Sequence, residues 1–245
     1  LGEGVRGLEV GQRVGIEAEH LLGCGECRLC LDGQYHLCVD RGMRHGVRQG
    51  SHGFSQYDVC VSENVTVLPD DVSFDAAALV DCYACGVHAM NRVPDVAGQS
   101  VAIIGAGAIA LALGQVLKAN HASQVILIGT REQSVELAIA ASSADVGVVT
   151  ANEDVVSAVL AATGGDGVAV TFETVGGQSQ LIQQAVEMTR RGGVVSVLGL
   201  FTKPQAIDPV MAMEHEVSIQ WSNSFSSWNG EREFITALDL LVSGK

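Results

Sequence analysis

"SVAIIGAGAIALALGQVLKA", residues 100–119, decides how this chain folds. It passes from a β-branched run, through Gly105, Gly107 and Ala110, into an Ala- and Leu-rich run. Its length approaches a membrane span, but the glycines divide it into a buried strand and a buried helix. A strand before and a helix after are what make a G-x-G-x-x-A triplet a dinucleotide fingerprint. Gly105 permits the tight turn, Gly107 lets the backbone approach a pyrophosphate, and Ala110 takes the third position, where helix and strand pack closely. The diphosphate is then expected on the amides of Ala108 and Ile109, at the positive end of the helix. A glycine-rich turn that merely packs a core helix is the alternative.

The rest of this half repeats the alternation. "QVILI" (124–128), "GVAVTF" (167–172), "GVVSVL" (193–198), "EVSIQW" (216–221) and a weaker "VGVV" (146–149) are short β-branched runs. "REQSVELAIAAS" (131–142) and "QSQLIQQAVEMTRR" (178–191) have helical period. Strands alternating with helices mean βαβ units and a parallel sheet covered on both faces. The expected fold is therefore α/β, with a doubly wound parallel-sheet (Rossmann) domain over residues 76–245 behind part of a β-rich domain over 1–75. The second strand ends in "ILIGTREQ", where a ribose-binding carboxylate is expected about twenty residues past the fingerprint. Gly129, Thr130 and Arg131 stand there instead. Without the carboxylate a 2′-phosphate meets no repulsion, and Arg131 and Thr130 can donate to it, which favours NADP over NAD. The other reading leaves Arg131 as a solvated charge and brings Glu132 in to hold NAD.

"CGECRLCLDGQYHLC", residues 24–38, holds Cys24, Cys27, Cys30 and Cys38. A C-x2-C-x2-C-x7-C run can wrap one tetrahedral zinc ion and leave no position open for water, so such a site is structural. Two local disulfides or free buried thiols are the alternatives. Nothing in the opening residues reads as a secretion signal, so seven cysteines suit a reducing, cytoplasmic compartment, where clustered thiols bind metal more often than they pair. Lys and Arg total 14 against 28 Asp and Glu, and the net charge of −14 disfavours nucleic acid and anionic membrane as partners. The start, "LGEGVRGLEVGQRV", reads as the middle of a β-rich domain, so a longer parent chain is expected.

The lobe, with "VGQRVGIEAE" before it and "GFSQYDVCVSENVTVLPDD" after it, resembles the zinc-dependent medium-chain alcohol and polyol dehydrogenases over nearly the whole chain. The resemblance implies a GroES-like catalytic domain before the nucleotide domain, and a structural zinc on the four cysteines. It implies a nicotinamide bordered by Thr174, Val175, Leu198 and Gly199. It also implies a second, catalytic zinc with Asp81 as one ligand. Asp81, Gly86 and His88 in "AALVDCYACGVHAMNRV" (77–93) match the D-x4-G-x-H of NADP-using secondary alcohol dehydrogenases. Asp81 as a helix cap is the plainer reading of that residue. Cys82 and Cys85 could be ligands in its place, but suit small buried hydrophobes better. His88 is expected as a packed helix residue and Cys60 on a strand. The family's remaining zinc ligands lie upstream of the lobe, so the chain is expected to start after them, to stop before its final return to the catalytic domain, and to be inactive alone. The implied reaction passes a hydride between a nicotinamide and a secondary alcohol or polyol, or its ketone, with zinc as Lewis acid. Family members are dimers or tetramers, which makes "SIQWSNSF" an expected interface of a homo-oligomer.

Two other readings stay open: a zinc-independent quinone or enone reductase of the same fold, and a non-catalytic NADP-binding module. A short-chain reductase is excluded, because neither Tyr35, Tyr57 nor Tyr83 is followed by Lys four residues later.

Overall fold

The computed structural model describes residues 1–17, 23–40 and 55–243. Strand β1 (Val14–Ile16) precedes the short helix α1 (Arg28–Leu31), then strand β2 (Val65–Val67) and the helices α2 (Phe74–Ala77) and α3 (Val80–Asn91). Five strand–helix steps follow: β3 (Ser100–Ile104), α4 (Ala108–Ala119), β4 (Gln124–Gly129), α5 (Glu132–Ala140), β5 (Val146–Val149), α6 (Val155–Ala162), β6 (Val168–Glu173), α7 (Ile182–Met188), β7 (Thr189–Val197) and α8 (Pro209–His215). Strand β8 (Ser218–Trp221), the short strands β9 (Ser227–Trp228) and β10 (Glu231–Arg232), and helix α9 (Glu233–Ser243) complete the described chain. Among the described residues no helix is long and apolar enough to cross a membrane. Contacts divide the chain into two units, Leu1–Ala84 with Ser224–Gly244, and Cys85–Asn223.

In the first unit β1 pairs antiparallel with β2, and β9 with β10. Gly15 of β1 lies against Leu68 and the Phe234 ring, where an added Cβ would stand 3.4 and 3.5 Å away. Phe225 and Phe234, both buried, place their ring centroids 6.1 Å apart. The buried Glu17 carboxylate pairs with Arg232, and Ser226 and Ser227 both donate to the carbonyl of Gly33. Residues 224–243 thus belong to the β-rich unit, whereas the sequence reading assigned them to the nucleotide domain and ended the chain before any return. Their apolar period fits a helix on either unit; burial of Phe225 and Phe234 decides between them. Cys60 also departs from expectation. It sits in irregular chain ahead of the 3-10 turn Ser62–Asn64, which delays β2 until Val65.

The second unit holds a six-stranded, all-parallel sheet in the order β5-β4-β3-β6-β7-β8. Side chains alternate between its faces, as a period of two requires. Val101, Ile103, Val125 and Leu127 pack with Leu113 and Leu117 of α4 and Ala89 of α3. Ala102, Ile104, Ile126 and Ile128 pack with Val155 and Val159 of α6 and Ile182 and Val186 of α7. Each expected strand is present. Only the stretch ending "TRR" differs: α7 stops at Met188 and β7 begins at Thr189. There the Thr189 hydroxyl bonds the carbonyl of Ala185 and the hydroxyl of Thr171, each at 2.7 Å, fixing the crossing point from helix to strand.

Helix α4 lies close to the chain after α5, because Gly114 has no side chain. A Cβ there would stand 2.0 Å from the carbonyl oxygen of the buried Ser143. Gly114→Ala should therefore destabilise the fold by about 3 kcal/mol, the upper range for overpacking. Urea unfolding would register a lowered midpoint at an unchanged slope.

Candidate functional site

The strand order reverses between β3 and β6, and a cleft opens at the carboxyl ends of these strands, where open α/β sheets bind ligands. Three chain segments meet there because Gly105 is bare. At φ +125 its amide donates to the carbonyl of Ile128 (2.8 Å), and a Cβ would fall 2.2 Å from the Thr174 hydroxyl oxygen. Thr174 in turn donates its amide (2.9 Å) and hydroxyl (2.8 Å) to the carbonyl of Ile104. Gly107 differs. It is extended, it caps α4 without a side-chain bond, and a Cβ built on it meets nothing within 4 Å. Open space beside first-turn amides lacking a side-chain cap is what a phosphate-bearing ligand needs. Ala108 is exposed and Ile109 half-buried at this end, while Ala110 is buried against the sheet.

The cavity over this turn measures about 310 Å³, and its lining includes Gly105, Gly107, Gly129, Thr130, Arg131 and Val175. Gly129 ends β4 fully buried, with Thr130 and Arg131 exposed beyond it and Arg131 at the N-cap of α5. A Cβ on Gly129 would approach Val135 to 2.7 Å and Ala106 to 3.1 Å, so packing also demands glycine at this tip. Thr174 and Val175 follow β6 directly, and Leu198 and Gly199 follow β7. Thr174, Leu198 and Gly199 are half-buried and Val175 is exposed.

The sequence reading did not single out Glu173, the last residue of β6, which is completely buried. Burial pushes its carboxyl pKa up, against the backbone amides of Gly176, Val175 and Gly199, which pull it down. An acid closing a β-branched run was the available signal.

The four cysteines of the lobe converge in the first unit. Their ligand sulfurs all lie within 4.8 Å of one another. Cys24–Cys30, Cys27–Cys30 and Cys27–Cys38 separate by 3.9, 3.6 and 3.9 Å. Metal–sulfur bonds of about 2.3 Å set tetrahedral edges of about 3.8 Å, whereas a disulfide needs about 2.05 Å. The donors therefore fit a tetrahedral thiophilic ion. Gly23 allows the wrap, since a Cβ there would stand 2.2 Å from the Cys30 sulfur. The amides of Glu26 and Cys27 draw the Cys24 thiol down to about 7, and burial pushes the Cys30 thiol up to about 12.

Asp81 is exposed in the first turn of α3, one residue inside the helix and past the capping position. Burial, then the Asp81 charge, pushes the half-buried Cys82 thiol up. Cys85 is half-buried, and His88 is buried as the helix reading expects. Among the described residues, the lobe is the group of three or more His, Cys, Asp or Glu ligands that converges; Asp81 has no such set around it.

Comparison with known proteins gives these features a family. The family model "Zinc-binding dehydrogenase" matches residues 108–243, more than half of the chain. The chain belongs to that family. A second family model, "Alcohol dehydrogenase GroES-like domain", matches residues 1–71. A sorbitol dehydrogenase of Halalkalibacterium halodurans is 31% identical over 91% of this chain and 64% of its own length. An L-threonine 3-dehydrogenase of Pyrococcus furiosus is 35% identical over 85% of this chain and 58% of its own. The chain thus spans less than two thirds of these relatives. A solved structure described as a zinc-binding dehydrogenase from Sinorhizobium meliloti 1021 bound to NADP superposes with a TM-score of 0.85 at 26% identity, covering 99% of this chain and 69% of that one. Galactitol-1-phosphate dehydrogenase from Escherichia coli gives 0.84 at 26% identity, over 99% and 70%.

Four thiolates at these separations should hold roughly one zinc ion per chain against mild chelation. Elemental analysis of Cys38→Ser beside the parent protein should show about one ion fewer, with a lowered thermal midpoint. Equal zinc in the two would contradict the geometry.

Proposed function

We propose that the whole protein is a zinc-dependent oxidoreductase that passes a hydride between NADP and a secondary alcohol or polyol, or the corresponding ketone. The observation that carries this reading is the open space at Gly107 beside the uncapped turn of α4, in a chain of the zinc-binding dehydrogenase family. The relatives named above point to polyols and amino alcohols as the substrate class.

The chain's own residues take distinct parts. Gly105 and Gly107 let the backbone reach the pyrophosphate, the amides of Ala108 and Ile109 donate to it, and Ala110 keeps α4 close to the sheet. Beyond β4, Gly129 brings no carboxylate, and Thr130 and Arg131 donate to a 2′-phosphate; the exposure of both supports NADP over NAD. Thr174, Val175, Leu198 and Gly199 border the nicotinamide and fix which ring face meets the substrate. Cys24, Cys27, Cys30 and Cys38 hold a structural zinc. Asp81 serves as one ligand of a catalytic zinc, which supplies Lewis acidity toward the substrate oxygen. A cytoplasmic homodimer or homotetramer completes the reading, with β8 at the sheet edge as the pairing element.

The test assays the whole, zinc-loaded protein on a panel of secondary alcohols, polyols and amino alcohols with either cofactor, following reduced nicotinamide by absorbance. Turnover should be faster with NADP than with NAD. Arg131→Ala should cost NADP about tenfold in kcat/KM, the value of one charge-assisted bond, and leave NAD within about twofold. Asp81→Asn should abolish turnover without changing cofactor affinity. Undiminished turnover in Asp81→Asn would overturn its role, and equal use of the two cofactors by the parent protein would overturn the NADP preference.

A further inference from the structure

We propose that Glu173 is a positioning residue for the nicotinamide end of the cofactor, clamping the turn after β6 to the turn after β7. The inference rests on the reading that Thr174, Val175, Leu198 and Gly199 border that ring. A carboxyl group at the end of a fully buried central strand costs desolvation unless backbone donors hold it. Here they do. One oxygen, Oε1, accepts the amides of Val175 (2.8 Å) and Gly176 (2.9 Å), curling the first turn around the side chain. The main-chain carbonyl of the same residue accepts the amides of Leu198 (2.8 Å) and Gly199 (3.1 Å) from the second turn.

The other oxygen, Oε2, has no hydrogen-bond partner among the described residues, and its role is steric fit. A Cβ on Gly199 would stand 2.3 Å from it and 2.3 Å from the amide nitrogen of Gly176. A Cβ on Gly176, at φ +60, would stand 2.5 Å from the amide nitrogen of Leu200. The two turns therefore touch backbone to backbone, with the carboxyl group wedged between them. Gly177 closes the pair by donating to the carbonyl of Leu200 at 2.8 Å. Since Thr174 is tied to the end of β3, this one residue sets both walls of the ring site relative to the glycine turn.

The test is equilibrium binding of two probes to the full chain: NADPH, and 2′,5′-ADP, which keeps the adenosine half and lacks the nicotinamide. NADH and ADP-ribose are run in parallel. Glu173→Ala should weaken the reduced dinucleotide by about tenfold or more while the truncated ligand stays within about twofold. Glu173→Gln, whose amide oxygen can accept the same two backbone donors, should bind the dinucleotide within about threefold of the parent protein. If the alanine variant does not fold, Glu173→Asp, whose carboxylate is one methylene short of the amides of Val175 and Gly176, should give the same selective loss. Equal weakening of both ligands, or unchanged dinucleotide binding, would overturn the positioning role alone. A parent protein that binds neither probe would overturn the dinucleotide reading, and this inference with it.

Discussion

A missing Cβ at Gly105 holds the nucleotide unit's working end together. The Thr174 hydroxyl stands where that carbon would be and donates to the carbonyl that ends β3, while the Gly105 amide donates to the carbonyl of Ile128, next to last in β4. The ends of three neighbouring strands are thus bound to one bare residue at the point where strand order reverses. Any larger residue would push Thr174 away and open the turn. Two residues on, the situation is the opposite: nothing approaches Gly107. One glycine is required by a neighbour inside the protein, and the other leaves room for something outside it.

The cysteine lobe obeys a separate constraint in a separate unit. Three of its sulfur separations, 3.6–3.9 Å, match the edges of a metal–thiolate tetrahedron, and the bare Gly23 admits the Cys30 sulfur. The turn that closes the lobe carries Gly33, whose carbonyl receives Ser226 and Ser227. That links the lobe to a segment about two hundred residues later, beside the Arg232–Glu17 pair. Structural metal in such a lobe contributes folding free energy to the β-rich unit. In the proposed reaction, hydride chemistry would belong to the cofactor and not to this lobe.

Most of the sheet was legible because a buried parallel strand reads as a short β-branched run, and six such runs lay in sequence. The glycine turn before α4 and the convergence of the four cysteines were legible because turn sterics and ligand spacing are written in local sequence. Three features were not. Residues 224–243 carry an apolar period that does not say which unit it covers, and Phe225 and Phe234 settle that only through contacts distant in sequence. Thr189 looked like the tail of a helix; its hydroxyl bonds to Thr171 and Ala185 make it the start of β7. Glu173 showed only as an acid closing a strand, since its significance lies in backbone amides from two turns that meet only in the fold. Gly129 carries two meanings, because the clash with Val135 would call for glycine there whatever the cofactor.

The proposed cofactor site depends on the open space beside Gly107. The most direct measurement is a fluorescence titration of NADPH into the parent protein and into Gly107→Ala, with the urea midpoint of each taken alongside. If that space receives the pyrophosphate, the parent protein should bind saturably, the variant should lose at least about tenfold, and their stabilities should agree within about 1 kcal/mol, the cost of Ala at a helix N-cap. Equal affinity in the two proteins would contradict it, as would a parent protein that binds no dinucleotide.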